Sequence, residues 1–157
     1  MRHLAFLHPL ALALALAGSV ASAPSSTAVP GDDACALITP AEILKTTGLK
    51  VSDGAAGAAI PGVLGRCTWS AGHNRVIVTL ADARHMQITV AAWEHSGGTS
   101  IPGLGSKAVG IKADDFTGGG YIVSVLDAKG GFGVSLLGPA GSHDNVIAMA
   151  KIIESRR

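Results

Sequence analysis

The groups best suited to chemistry are the thiols of Cys35 and Cys67, the two cysteines of the chain. The alternatives to a structural bridge are a redox-active pair and a metal site, and a catalytic nucleophile would need a free thiolate. The pair lacks Cys-x-x-Cys spacing, and no histidine lies within a few residues of Cys35. Two cysteines in an oxidising compartment normally pair with each other. We therefore predict a Cys35–Cys67 disulfide, to which the chain-entropy model assigns about 3.5–4 kcal/mol of stability.

The other groups that could do chemistry are histidines and carboxylates scattered along the chain. The histidines beyond the N-terminal segment are His73, His85, His95 and His143. None has the i, i+4 spacing of helix-borne metal ligands, so we expect each to be a solvated surface residue. The carboxylates available for a catalytic pair are Asp82, Glu94, Asp114, Asp115, Asp127 and Asp144, and their spacing favours none of them. The sequence therefore indicates no catalytic, cofactor-binding or metal-binding residue, and we expect no cofactor.

Two segments rich in glycine and proline, 54–64 and 97–105, are predicted to be surface loops. The second leads into Gly103-Leu104-Gly105-Ser106-Lys107-Ala108. A dinucleotide-binding loop would follow a strand and open a helix, whereas this run precedes a predicted strand, so we interpret it as a turn. Loops on a rigid scaffold commonly carry recognition. The residues that we expect to make contacts are Ile60, Pro61, Ile101, Pro102 and Leu104.

Residues 1–21 have the pattern of a removable export signal. Arg2 precedes the unbroken Leu/Ala run 10–17, and small residues follow, as signal peptidase requires. The run is shorter than the roughly 20 apolar residues that span a hydrocarbon core. Its lack of helical polar periodicity argues against the alternative, a buried helix of a cytoplasmic protein. We expect cleavage after Ala21, with Ala23 as the alternative, and no lipid anchor.

Residues 22–31, rich in Pro, Ser and Ala, are a predicted flexible leader to a single domain, 32–157. Removing the signal takes Arg2 from the 12 basic residues and leaves 11 basic against 11 acidic residues. A neutral domain lacks the basic surface that binds nucleic-acid phosphates or an anionic membrane. No later segment is long and apolar enough to span a membrane. We therefore expect a monomeric periplasmic or secreted protein without a nucleic-acid partner or a transmembrane segment.

The clearest elements are two helices with capping signals. Thr39-Pro40-Ala41-Glu42 combines a capping box with proline at the first helical position, and Gly48 ends the helix after Thr47. Ser142 caps a C-terminal helix with one apolar stripe, formed by Val146, Met149, Ala150 and Ile153. Five segments have the apolar pattern of strands, namely 66–70, 75–81, 107–112, 121–126 and 132–137.

The segment Ala83–His95 fits a helix and a strand equally well. Met86, Val90 and Trp93 have helical spacing, whereas Ile88 and its β-branched neighbours favour a strand. Together the elements predict an α+β fold, with an antiparallel sheet of about five strands packed against two or three helices and one disulfide. We expect Trp69 to pack over the disulfide, and Trp93 to join the core if its segment is helical.

Four features stand in a familiar order along the chain. They are Asp33-Ala34-Cys35-Ala36-Leu37-Ile38-Thr39-Pro40-Ala41-Glu42, Gly65-Arg66-Cys67-Thr68-Trp69, Ile101-Pro102-Gly103-Leu104-Gly105-Ser106-Lys107-Ala108, and a strand hairpin with a terminal helix. In this order the chain resembles small exported bacterial envelope proteins, many of them lipoproteins, of domain families of unknown function. Those families carry Cys-x-Leu-Leu-Thr-x-x-Glu, then Cys-x-Trp or Cys-x-Tyr, then Pro-Gly-Leu-Gly-Asp-x-Ala.

The resemblance covers essentially the whole chain that follows the predicted signal. It implies an exported α+β domain, a Cys35–Cys67 bridge and a helix over Ala83–His95, but no activity. The chain departs from the pattern in lacking the lipid-acceptor cysteine and in having Ser106 where relatives often have aspartate.

Neutral charge, a predicted disulfide and the lack of clustered reactive groups favour a non-enzymatic exported envelope module. It would bind a protein partner or a small apolar ligand. An inhibitor or immunity-type protein for an envelope-acting effector is a second hypothesis, and a small periplasmic hydrolase is a third. A hydrolase would require a cleft with converging polar groups and a titratable residue with a shifted pKa.

Overall fold

The structure is a computed structural model that describes residues 33–58 and 60–157. The predicted signal, 1–21, and the predicted leader, 22–31, lie outside the described residues. Within the described part, the helices are α1 (Pro40–Thr47), α2 (Ala83–His95) and α3 (His143–Glu154). The strands are β1 (Ala55–Ala56), β2 (Val63–Ala71), β3 (Asn74–Ala81), β4 (Thr99–Ser100), β5 (Lys107–Lys112), β6 (Gly120–Asp127) and β7 (Gly130–Leu137). Short 3-10 turns occupy Ala34–Ala36 and Asp115–Thr117.

The described strands form one antiparallel sheet in the order β1-β2-β3-β7-β6-β5-β4. β7 lies at the centre, between β3 and β6, and the two-residue strands lie at the edges. The α+β class, the antiparallel sheet and the disulfide that the sequence predicts are confirmed. The described sheet has seven strands, however, where about five were expected.

The two additional strands, β1 and β4, lie in the segments 54–64 and 97–105 that we predicted to be loops. Backbone hydrogen bonds hold both segments to the sheet edges. The Gly57 N–H donates to the Arg66 carbonyl at 2.9 Å, and the Ile101 N–H donates to the Ala108 carbonyl at 2.9 Å. A strand of two residues cannot show an alternation of apolar and polar side chains, so the sequence pattern gave no sign of either.

One face of the sheet, which we call the closed face, is covered by helices. α3 packs over β6 and β7, α1 packs beside α3, and the turn Ala34–Ala36 packs over β2 and β3. The strand side chains beneath them have no exposed surface; they are Val76, Val78, Leu80, Phe132, Val134 and Leu136. The predicted stripe of α3 is equally buried. The closed face therefore contains the main hydrophobic core.

Local signals position the helices of the closed face as predicted. The Thr39 hydroxyl accepts from the Glu42 N–H, and the Glu42 carboxylate accepts from the Thr39 N–H at 2.9 Å, which completes the capping box of α1. Gly48 ends α1 with a φ of 76°, in the left-handed region that glycine enters at little cost. The Ser142 hydroxyl caps α3 by accepting from the Asn145 N–H.

The disulfide joins the first turn of the described chain to the closed face. The sulfurs of Cys35 and Cys67 are 2.00 Å apart, and their Cα atoms are 5.0 Å apart. Trp69, two residues along β2, is 1% exposed in the same core. A Cβ added at Gly54 would meet the Cys67 sulfur and the Trp69 ring, so the backbone before β1 packs directly over both groups. This confirms the bridge and the burial of Trp69 beside it.

The segment that fitted both a helix and a strand is the helix α2. The Asp82 carboxylate caps it by accepting from the His85 N–H at 2.7 Å. Met86 and Val90 are buried against a second, smaller core on the opposite face of the sheet. Burial of this helical stripe outweighs the strand propensity of Ile88, which is exposed on the outer side of α2.

α2 covers only part of this second face, which we call the open face. The helix packs over β5, β6 and β7, and it reaches the end of β3 at Ala81. On β2 and the rest of β3, no helix of the described chain covers the open face. None of the helices in residues 33–58 and 60–157 has the length and apolarity needed to cross a membrane.

Candidate functional site

The partial cover of the open face leaves a groove of about 180 Å³ between α2 and the strands β3, β7 and β6. We call it the α2 groove. The sheet forms its floor and α2 forms its wall. Binding sites for small molecules are concave and combine apolar walls with a few polar groups. The α2 groove has that composition and is the candidate functional site.

The floor of the groove carries small and hydroxyl-bearing side chains. They are Thr79, Ala81, Ser124, Gly133 and Ser135, and Ile122 adds one larger apolar side chain. Strand pairing places Thr79, Gly133 and Ser124 side by side on β3, β7 and β6. Successive side chains of a strand point to opposite faces. The residues that alternate with the apolar core of the closed face therefore form this polar floor.

The wall of the groove consists of His85, Met86, Thr89 and Trp93, all on α2. The Trp93 indole N–H donates to the Ser124 hydroxyl at 3.1 Å and so fixes the ring against the floor. The Thr89 hydroxyl donates to the His85 carbonyl at 2.9 Å. Ser124 keeps its own hydroxyl proton for a further bond, because it accepts from the indole.

Gly133 is the residue that keeps the groove open. A Cβ added there would have a single neighbour within 4 Å, the Val123 carbonyl oxygen at 3.8 Å, and the φ of Gly133 is not positive. Neither the backbone nor the packing therefore requires glycine at this position. By contrast, a Cβ at Gly131, on the same face of β7, would lie 2.3 Å from the Met86 Cγ. Gly131 allows α2 to pack closely, whereas Gly133 leaves space.

Further cavities adjoin the α2 groove through shared lining residues. A cavity of about 310 Å³, bordered by Arg66, shares Thr79 with it. A cavity of about 250 Å³ shares Trp93 and Ile122, and one of about 380 Å³ shares His85. The α2 groove is thus the middle of a band of depressions that crosses the open face.

The residues predicted to make loop contacts fall into two groups. Ile60 is 56% exposed and Pro61 is exposed, and each lines a cavity that adjoins the groove. Ile101 and Leu104 are only 8% and 1% exposed, because both side chains pack into the main core. In the second loop only Pro102 of the predicted set is exposed. A contact role for either loop stays a prediction.

The histidines also fall into two groups, one exposed and one partly buried. His73, His95 and His143 are exposed, as expected. His85 is half-buried in the wall of the groove, which differs from the solvated position that we predicted. The helix α2 explains the difference, because it turns this residue toward the sheet. Sequence spacing could not show this while the segment fitted a strand as well.

Most of the candidate carboxylates have structural partners. Asp82 caps α2 and Asp114 caps the turn Asp115–Thr117. Glu94 pairs with Lys107 at 2.7 Å, Asp127 pairs with Arg157 at 2.8 Å, and Asp144 bonds the ring of His143 at 2.8 Å; these three pairs lie outside the groove. None of the six carboxylates lines the α2 groove. Within the part of the chain that the structure describes, no group of three His, Cys, Asp or Glu side chains could hold a metal ion.

The floor residues were missed in the sequence, although β7 contains a signal for them. Its run Gly131-Phe132-Gly133-Val134-Ser135 alternates very small residues with large apolar ones. Such alternation indicates one packed face and one face with small side chains.

Comparison with protein-family models, with curated proteins and with solved structures found no match. The candidate site therefore rests on the geometry of this chain.

Proposed function

We propose that this protein is a non-enzymatic, exported envelope module that binds the uncharged part of a small ligand in the α2 groove. The observation that carries the proposal is the space at Gly133. Glycine inside a strand costs about 0.5–1 kcal/mol relative to alanine. Neither backbone nor packing requires it here, and a strand glycine often marks a place where a ligand approaches the sheet.

The lining of the groove supports an uncharged or weakly polar occupant. Met86, Ile122 and the Trp93 ring offer apolar contacts, and the hydroxyls of Thr79 and Ser135 offer hydrogen bonds. His85 is the only ionisable residue among the groove's lining. A ligand portion with a flat or compact apolar body and one or two polar groups would match this surface.

The hydrogen bonds of the groove support binding rather than hydrolysis. A serine nucleophile needs a base within hydrogen-bond reach of its hydroxyl. The Ser124 hydroxyl accepts from the Trp93 indole, and within the described residues neither it nor the Ser135 hydroxyl donates to the His85 ring. The carboxylates that could orient such a base lie outside the groove lining.

The disulfide supports the exported location, because such bridges form and persist in oxidising compartments. The export signal over 1–21 and the resemblance to envelope proteins remain predictions from the sequence. They fit a module that meets its ligand in the envelope.

The groove can be tested with N-phenyl-1-naphthylamine, an uncharged dye whose fluorescence rises in apolar surroundings. We expect saturable binding to the wild-type protein. Gly133→Val would place two methyl groups in the groove, so we expect at least tenfold weaker binding. Because a β-branched residue suits a strand better than glycine does, the variant should remain folded, which thermal unfolding would verify.

The matched control is Ser70→Val. It places the same valine side chain on the open face of the sheet, but on β2, away from the groove lining. This variant should bind the dye like the wild type. No saturable binding to the wild type, or equal binding to wild type and Gly133→Val, would contradict the proposal.

A further inference from the structure

The described chain has five arginines, of which two lie on the closed side of the sheet, two on the open face of β2 and β3, and one on α2. On the closed side, Arg156 pairs with Glu42 and Arg157 pairs with Asp127. On the open side, Arg66, Arg75 and Arg84 are exposed, and no carboxylate of the described residues lies within ion-pair distance of any of them. Unpaired guanidinium groups beside a cavity are suited to oxyanions, which they bind through two parallel hydrogen bonds.

Of these three arginines, Arg66 is the one whose cavity adjoins the groove and has no carboxylate in its lining, because Arg84 borders the cavity of about 380 Å³ that Asp82 also lines. Strand pairing places it directly opposite Thr79, which lines both the α2 groove and the adjoining cavity of about 310 Å³. Side chains that are paired in this way have Cβ atoms about 5 Å apart. Arg75 lines neither space.

The Arg66 side chain is also supported by the neighbouring edge segment. A Cβ added at Gly57 would lie 3.2 Å from the Arg66 Cβ and Cδ, so the backbone of Gly57 packs along the aliphatic stem. The same cavity is lined by the hydroxyl-bearing Thr68 and Thr79. The cavity therefore has a cationic group, two hydroxyl groups and no carboxylate in its lining.

We infer that the ligand of the α2 groove is an amphiphilic acid, whose single anionic group binds Arg66 while its uncharged body lies between α2 and the sheet. The inference depends on the function proposed above and adds the chemical class of the ligand. Arg66 and the hydroxyls of Thr68 and Thr79 receive the carboxylate, sulfonate or phosphate group. The body extends across β3 and β7 toward Trp93 and Ile122, over about 15 Å at roughly 4.8 Å per strand.

Two dyes test separately how the anionic group and the uncharged body of the ligand contribute to binding. N-phenyl-1-naphthylamine is uncharged, and 8-anilino-1-naphthalenesulfonate has the same body with one sulfonate. We expect Arg66→Gln to weaken binding of the sulfonate dye about fivefold, the effect of roughly 1 kcal/mol for one partly solvated ionic contact. Binding of the uncharged dye should not change. Arg75→Gln, on the same face but outside both spaces, should leave both affinities unchanged.

The outcomes distinguish this inference from the proposed function. If Arg66→Gln and Arg75→Gln weakened binding of the sulfonate dye equally, the cause would be the general charge of the surface. That result would overturn the inference. An equal loss of both dyes in Arg66→Gln would assign the effect to packing of the stem, and would overturn it too. If Gly133→Val bound both dyes like the wild type, the groove itself, and with it the proposed function, would be excluded.

Discussion

The two faces of the sheet are made by the same strands but have opposite character. On β7, Phe132, Val134 and Leu136 point to the closed face and are fully buried. The residues between them, Gly133 and Ser135, point to the open face and line a groove. A central strand buried on both faces would have apolar residues at nearly every position. The difference indicates that the closed face supplies the stability of the domain and that the open face is free to serve recognition.

The variant with the largest expected effect on stability is Phe132→Ala, which tests the role of the closed face. Phe132 has no exposed surface, and the Arg157 guanidinium lies over its ring, 5.6 Å from the centroid. Truncating a buried phenylalanine removes its burial energy and leaves a cavity, which together cost about 3–5 kcal/mol. We expect chemical denaturation to show a loss of this size in the free energy of unfolding. A loss below 1 kcal/mol would contradict the assignment of the core to the closed face.

Gly131 and Gly133, on either side of Phe132, lie on the part of the open face that α2 covers and on the part that it leaves open. Substituting each of them compares these two parts. Gly131→Ala would force a methyl group against Met86 and the Val125 carbonyl oxygen and should cost about 1–3 kcal/mol, because the site is already full. Gly133→Ala has open space and should stabilise the protein by about 0.5–1 kcal/mol. Denaturation of both variants checks the signs. A destabilising Gly133→Ala would mean that glycine is kept at this position for folding rather than for access.

These comparisons also show which features the sequence can predict. The ends of α1 follow from Thr39, Glu42 and Gly48, whose side chains or backbone act within one turn. The core strands follow from alternation along a few neighbouring residues. The disulfide follows from the presence of two cysteines in a chain that the sequence predicts to be exported. Each signal is local or compositional, so each can be recognised without knowing what packs against it.

The α2 groove could not be predicted in that way, because it depends on three elements distant in the chain. Its floor combines Thr79, Gly133 and Ser124 from strands that become neighbours only in the folded sheet. Its wall exists only if residues Ala83–His95 are helical, and that choice is decided by burial of Met86 against the sheet. The edge segment of β1 and Gly57, which packs along Arg66, is visible only in backbone hydrogen bonds and contacts.

The smallest expected effect is on stability, and it comes from comparing Arg156, which is paired with Glu42, with Arg66, which has no ion-pair partner among the described residues. The charge-assisted hydrogen bond from Arg156 holds the pKa of Glu42 below its ordinary value of 4.5, with bonds from Thr39 in support and partial burial opposing. A carboxylate with a lowered pKa stabilises the fold above about pH 4.5, and this contribution is lost as the pH falls through the pKa of the folded state. Glu42→Gln removes the charge and keeps a capping residue that α1 accepts.

We therefore expect Glu42→Gln to lower the free energy of unfolding by less than about 1 kcal/mol at pH 7, because the pair is partly solvated. The difference from wild type should shrink as the pH falls below about 4.5, since the wild-type carboxylate then becomes protonated. Arg66→Gln is the matched change on the open face. It breaks no ion pair among the described residues, so its unfolding curve should parallel that of the wild type at every pH. A pH-independent difference for Glu42→Gln would show that the Arg156 pair contributes packing rather than charge to the closed side.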